Sequence, residues 1–259
     1  MAPASSATRA AIGTSIAGGA LSALSNAPLQ LGHLFRGRFP TVAVTGMTGV
    51  GKTRLADRLA RRASVETTVD VGSATMEHRT RKTAKGRGFR FRVVPGDNAA
   101  TRLSALDEVF HDDPVDGVLH VVANGHATHR ASTAPGTTRE DMLAAELEDF
   151  TITAHRIASM AVRRDKPVWL IIVVTKTDLF ADDVEAAVRY YSPGSGSPFG
   201  DKVDELRSLA GGARLSVDVV PMYTEAQAST GREKKHVERA SAQLLGRLEA
   251  RMAQLSGHV

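Results

Sequence analysis

Eight residues limit the folds open to this chain more than any other feature: Gly46-Met47-Thr48-Gly49-Val50-Gly51-Lys52-Thr53 satisfies G-x-x-x-x-G-K-[ST]. A short β-rich run, Phe39 to Thr45, precedes them and a helix-like pattern, Lys52 to Ala63, follows. That is the strand-loop-helix context in which the pattern binds phosphate. Gly46, Gly49 and Gly51 let the backbone turn with its N–H groups inward, so that the amides of Thr48, Val50 and their neighbours form a nest at a helix N-terminus. Lys52 would reach the β- and γ-phosphates, and the Thr53 hydroxyl would ligate Mg²⁺. The plain alternative, a chance glycine-rich turn, leaves Lys52 as an unneeded charge in a loop that should be packed.

The rest of the body alternates strand and helix signals. Val115 to Ala123 and Val168 to Val174 are nearly continuous apolar runs, as expected of central strands covered on both faces. Phe89, Phe91 and Val93 alternate with Arg90 and Arg92 after a Lys85-Gly86-Arg87-Gly88 turn, which predicts a hairpin between Thr75 and Val94. Helical patterns occupy Arg139 to Arg163, Asp182 to Tyr191, Phe199 to Ala210 and Glu233 to Leu255, and Val217 to Met222 reads as a last strand. The alternation predicts an α/β fold in three layers: a mostly parallel sheet, helices on both faces, and one antiparallel hairpin strand.

After the most hydrophobic strand comes Thr175-Lys176-Thr177-Asp178. Ligands of open α/β sheets bind at the carboxyl ends of strands, where this tetrapeptide lies. It resembles the [NT]KxD guanine-specificity motif of the Ras-like and Era-like P-loop GTPases, with Thr175 in the less usual first place. The resemblance implies that the Asp178 carboxylate pairs with the guanine N1–H and 2-amino donors while the Lys176 stem lies on the ring. Adenine lacks that donor pair and would leave a buried carboxylate unpaired. The alternative for Asp178 is a polar cap on the following helix.

The hairpin runs into Val93-Val94-Pro95-Gly96-Asp97, where the family usually shows D-x-x-G and then a water-orienting Gln. Pro95 and Gly96 match, while Val93 stands at the Asp position and Asp97 at the Gln position. An apolar-x-Pro-Gly segment of this kind resembles that of bacterial gliding-polarity GTPases, as does Val115-Asp116-Gly117-Val118. The resemblance implies that Gly96 donates its N–H to the γ-phosphate. Losing the Asp removes an anchor for Mg²⁺. Asp97 near a triphosphate meets like-charge repulsion and cannot donate to transition-state oxygens, so slow hydrolysis is expected, raised by a partner supplying Arg or Gln in trans. Capping of a helix beginning near Ala99 is the other reading of Asp97. For the switch threonine that completes the Mg²⁺ shell, Thr75 is the choice, with Thr67, Thr68 and Thr80 as rivals. Thr224, after Pro221-Met222-Tyr223, is the choice for the loop touching the guanine oxygen.

Composition narrows the chemistry further. Among 259 residues there is no cysteine, which excludes disulfide frameworks, thiolate metal sites and thiol nucleophiles. The net charge of +5 is concentrated: Arg79, Arg81, Lys82, Lys85, Arg87, Arg90 and Arg92 fall in the hairpin with no acid among them. A solvated edge strand explains such a run, and alternation would turn one basic face outward. As a functional surface it would take a protein effector or activator near residues 79–92; nucleic acid is not expected, because aromatic interleaving for base stacking is lacking.

From Ala11 to Phe35 there is no charged side chain. Its glycines, serines and Pro28 make it too polar to span a membrane, and Pro28 after Ser25-Asn26-Ala27 argues against a cleaved leader. Ile12, Ile16, Ala20 and Leu24 fit one weakly amphipathic helix, a packing element or a weak membrane or partner contact through residues 10–35.

These signals together predict an N-terminal extension at 1–37 and a Ras-like GTPase domain at 38–257. By that resemblance the chain would be a bacterial, cytoplasmic nucleotide switch, peripheral to a membrane if the extension anchors it, binding GTP or GDP with Mg²⁺ and hydrolysing GTP slowly. Two other readings stay open: a GTP-binding structural subunit without turnover, and a P-loop ATPase or kinase.

Overall fold

The computed structural model describes residues 39–61, 75–82, 88–96, 99–128, 136–223 and 232–257, all within one unit, Phe39–Val259. The extension, the turn Lys85-Gly86-Arg87, Asp97, Thr67, Thr68 and Thr224 lie outside the described residues.

Six strands form one sheet: β1 (Thr41–Thr45), β2 (Glu77–Lys82), β3 (Gly88–Val93), β4 (Gly117–Val122), β5 (Val168–Val174) and β6 (Leu215–Pro221). Their spatial order is β2-β3-β1-β4-β5-β6, with every neighbouring pair parallel except β2 and β3. The six α-helices among the described residues are α1 (Lys52–Leu59), α2 (Ala99–Asp107), α3 (Arg139–Arg163), α4 (Val184–Tyr190), α5 (Pro198–Ala210) and α6 (Arg232–Leu255).

Strand alternation distributes the core to both faces. On β5, Leu170, Ile172 and Val174 pack with Phe150 and Ile157 of α3 and Phe199 of α5. The intervening Trp169, Ile171 and Val173 pack with Leu55 and Leu59 of α1 and with Leu248 and Met252 of α6. Every residue of β4 and β5 is buried, which is why both read as unbroken apolar runs. Gly117 in β4 faces Trp169 in β5, and a Cβ there would sit 2.0 Å from the indole. The ring thus lies flat on the strand, and its Nε1–H donates to Ser256 at 3.2 Å beyond α6.

Helix ends follow local chemistry. The capping box of α3 joins Thr138 and Asp141 reciprocally at 2.9 and 3.2 Å. Ser197 caps α5 by accepting from Gly200 N at 2.9 Å, with Pro198 in the first turn. Several elements differ from expectation. α1 ends at Leu59 rather than Ala63, α4 is preceded by a 3₁₀ segment Thr177–Asp183, and α2 continues into a π-turn, Glu108–Asp112. The weak amphipathicity of α2, with only Ala105 and Leu106 buried, explains why periodicity misses it.

The basic hairpin is the main correction. Arg79 pairs with Asp57 of α1 and with Glu77, each at 2.6 Å, Arg81 pairs with Glu249 of α6, and Arg92 pairs with Asp113. Register puts Arg79 and Arg81 on the same face as Phe91 and Phe89, under the helices. The side chains of Arg79, Arg81 and Arg92 are 17%, 12% and 14% exposed, so acids distant in sequence neutralise these three members of a run that looks uniformly cationic in one dimension. Arg90 is exposed.

Candidate functional site

The site is assembled at the carboxyl end of β1, where connections leave toward β3 on one side and β4 on the other, the switch point at which open sheets bind ligands. The loop Gly46–Gly51 leaves β1 there. Gly49 and Gly51 take φ of 78° and 96°, and Gly51 is the N-cap of α1 without any side-chain cap. The first N–H groups of that helix are therefore left to a ligand. Lys52 is buried at 8% exposure, its Nζ donating to Gly46 O at 2.8 Å and Met47 O at 2.9 Å.

Gly96 is carried onto this loop by β3. A Cβ on it would lie 2.5 Å from Thr48 Oγ1 and 2.8 Å from Lys52 Nζ. Only a glycine permits that approach. Val93, at the position where an acid stands in the resembled motif, is 2% exposed in the apolar core.

Thr175 and Lys176 close the other side. Thr175 Oγ1 donates to Val50 O at 2.7 Å, tying the end of β5 to the phosphate loop. Lys176, in the left-handed region with φ 56°, donates to His126 O at 2.8 Å and meets Thr128 Oγ1 at 2.6 Å. Thr128 N in turn donates to Gly49 O at 3.0 Å. Asp178 lies in the first turn of the 3₁₀ segment Thr177–Asp183, whose N-cap is Lys176. Its Oδ1 and the neighbouring Thr177 Oγ1 are buried and accept no hydrogen bond. Orphan acceptors of this kind are uncommon and costly in a finished interior.

Thr53 and Thr75 are both exposed, Thr75 two residues ahead of β2. Tyr223, next to Thr224, is pinned by Arg58 of α1, whose guanidinium donates to Tyr223 O at 2.6 Å. Among the described residues no three His, Asp or Glu side chains cluster as a metal cage. Any metal here would depend on hydroxyls and ligand oxygens, a donor set suited to Mg²⁺.

Sequence reasoning missed two polar groups beside the site. Glu146 of α3 is buried and accepts from Ala123 N at 3.0 Å, Gly125 N at 3.2 Å and the Tyr191 hydroxyl at 2.5 Å, so it holds the loop that carries His126 and Thr128. Burial still raises its pKa above the usual range. The His126 ring stacks on Phe180 at 5.3 Å and is kept neutral by burial and by the Arg139 and Lys176 charges. The second group is Thr45, His120, Asp149 and Arg102. Thr45 Oγ1 and His120 Nδ1 share a 3.0 Å hydrogen bond, and Arg102 Nη2 lies 2.5 Å from Asp149 Oδ1. The signal was available: Glu146 and Asp149 interrupt the apolar stripe of α3 among Met142, Phe150 and Thr153.

No protein-family model matches the chain, and no curated protein matches its sequence. Solved structures do match. A GTP-binding protein from the hyperthermophilic archaeon Sulfolobus solfataricus, in complex with GDP, is 14% identical with a TM-score of 0.41, over 81% of this chain and 53% of that one. A dimerization-deficient mutant of Toc33 from Arabidopsis thaliana is 13% identical with a TM-score of 0.43, over 81% and 79%. A variant of SsGBP is 13% identical with a TM-score of 0.41, over 92% and 62%. The chain spans about half the length of the first of these. Strand order and the loop after β1 decide the architecture. The chain has a P-loop NTPase fold. Among its described residues, no helix is long and apolar enough to cross a membrane.

Proposed function

We propose that this chain is a guanine-nucleotide switch that binds GTP and GDP and hydrolyses GTP slowly. The observation that carries the reading is the joining of two motifs 125 residues apart: Thr175 Oγ1 bonds Val50 O, beside a buried Asp178 Oδ1 that accepts nothing. A base carrying two adjacent N–H donors satisfies that carboxylate, and guanine is such a base.

Lys52 now spends its ammonium on two loop carbonyls. Phosphate oxygens would compete for it, and the N–H groups of the loop would wrap the β-phosphate. Gly96, already packed on Thr48 and Lys52, would give its N–H to the γ-phosphate and lose that bond on hydrolysis, which is how the switch reports its state. Thr53 and Thr75 are the hydroxyls that would hold Mg²⁺. When bound, the ion would neutralise charge between the β- and γ-phosphates. Buried Val93 offers no carboxylate to that shell, and Asp97 offers no donor to a transition state. Both favour slow turnover raised by a partner. Arg90, an exposed arginine of β3, marks the hairpin surface on which a protein effector would sit.

The test is a competition assay. Fluorescent GDP should bind the purified chain and be displaced by GTP but not ATP, and Asp178→Ala should weaken binding about 100-fold, near 3 kcal/mol for two charge-assisted bonds. Displacement by ATP with no effect of Asp178→Ala would turn the reading to an ATPase. Single-turnover assays with and without cell extract separate a switch from a structural subunit: no cleavage in either removes the enzymatic claim.

A further inference from the structure

Arg102 stands three residues into α2, the helix that follows Gly96, and reaches across to Asp149 near the middle of α3. The pair is interior: the side chains are 16% and 3% exposed. Arg102 Nη2 also reaches Asp149 O at 3.5 Å. On the sheet side, His120 Nε2 of β4 lies 4.0 Å from Asp149 Oδ2, and His120 is bonded through Nδ1 to Thr45, the residue before Gly46. A continuous polar path thus runs from the root of the phosphate loop to α2.

Energetics make an incidental role for Asp149 hard to sustain. Neither carboxylate oxygen accepts a well-formed hydrogen bond; the contact with Arg102 is close but poorly aligned. A buried, half-satisfied ion pair is a poor stabiliser, and an apolar pair of similar volume would serve packing better. What the pair does supply is a directional tie between α2 and α3. The end of α2 is held separately, by the Arg156–Asp107 pair at 2.8 Å and by Val109 and Phe110 just beyond it in the core, whereas toward Gly96 the helix itself buries only Ala105 and Leu106, so Arg102 is the tie nearest the phosphate loop.

We propose that Asp149 is a positioning residue: through Arg102 it latches α2 against α3 and thereby sets the Gly96 N–H on the phosphate loop. The proposal deepens the nucleotide-switch reading and rests on it. The charged groups facing the carboxylate are Arg102 from α2 and Lys52 from α1, with His120 from β4 and Glu148 on its own helix. Burial, opposed by the two cations, raises the Asp149 carboxyl to about 6. The latch is therefore charged at neutral pH and opens in mild acid.

The test compares the full chain with Asp149→Asn and Arg102→Lys. For Asp149→Asn, single-turnover GTP hydrolysis at pH 7.5 should fall at least 10-fold while GDP affinity stays within 3-fold. Wild-type hydrolysis should fall toward the variant's rate as pH drops through 6, and Arg102→Lys, which keeps the charge opposite Asp149, should lose less than Asp149→Asn. Amide exchange in nucleotide-free protein should show residues 99–107 losing protection in Asp149→Asn while 139–163 keep theirs. Equal losses of rate and GDP affinity, or unchanged exchange over 99–107, would overturn the proposal. If the wild type cleaves no GTP, the hydrolytic role fails with the enzyme reading, and the exchange experiment alone decides whether the latch exists.

Discussion

His120 and Asp149 respond to acid in opposite directions. Burial, with the charges of Arg102 and Lys52, lowers the imidazole from 6.5 to about 3. The stability contributed by its neutral form is complete above 6.5 and is lost as pH falls toward 3, because only the unfolded chain takes up the proton. The Asp149 carboxyl titrates at about 6 against an ordinary 3.8, so the folded state takes up a proton first and stability rises as pH falls across that interval. Between pH 6 and 4 the two effects offset. Asp149→Asn removes one of them, and its unfolding free energy should then fall with acid more steeply than the wild type's, by up to about 1.4 kcal/mol per pH unit. Urea titrations at pH 7, 5.5 and 4.5 measure the difference; parallel curves would refute the raised Asp149 carboxyl. Asp149 left a trace in sequence by interrupting the apolar stripe of α3, whereas His120 left none. His120 sits inside an apolar run, and only the fold brings Arg102 to it.

Elements were legible in proportion to their burial. The bounds of α3 and β5 follow from a capping threonine, a long period and an unbroken apolar run, whereas α2 shows little periodicity because it rests on the body by few side chains. Gly117 is a case where an element depends on one close approach. Gly117→Ala would place a methyl carbon 2.0 Å from the Trp169 ring. Overpacking of this kind costs about 1–3 kcal/mol, which for a chain of this size lowers Tm by roughly 3–10 °C. Since Trp169 is the only tryptophan, its emission should shift in the same variant. A melt and spectrum matching wild type would show that the strand relaxes freely. The hairpin shows the opposite failure: a run of like charges suggested an outward basic face, and Asp57, Asp113 and Glu249 from three other segments pair Arg79, Arg92 and Arg81.

At the scale of the whole molecule, a nucleotide held where the proposed function puts it would rest on the ends of β1 and β5 together, so binding should add to global stability. At 100 times its Kd, GDP should stabilise the folded state by about 2.7 kcal/mol, raising Tm by roughly 5–10 °C. Equal ADP should do nothing, and Lys52→Ala should abolish the shift; thermal denaturation with each nucleotide reads all three. The amino-acid sequence by itself determined the phosphate loop, the strand-helix alternation and the order in which Lys52, Gly96 and Asp178 occur, because local spacing and polarity encode turns and periods. Tertiary structure alone decided which charges are neutralised, that Val50 and Thr175 touch, that Glu146 holds the loop beside Gly49, and that Arg102 meets Asp149. Those are contacts between residues tens to more than a hundred positions apart, and their energies come from burial and dielectric surroundings that no linear pattern carries.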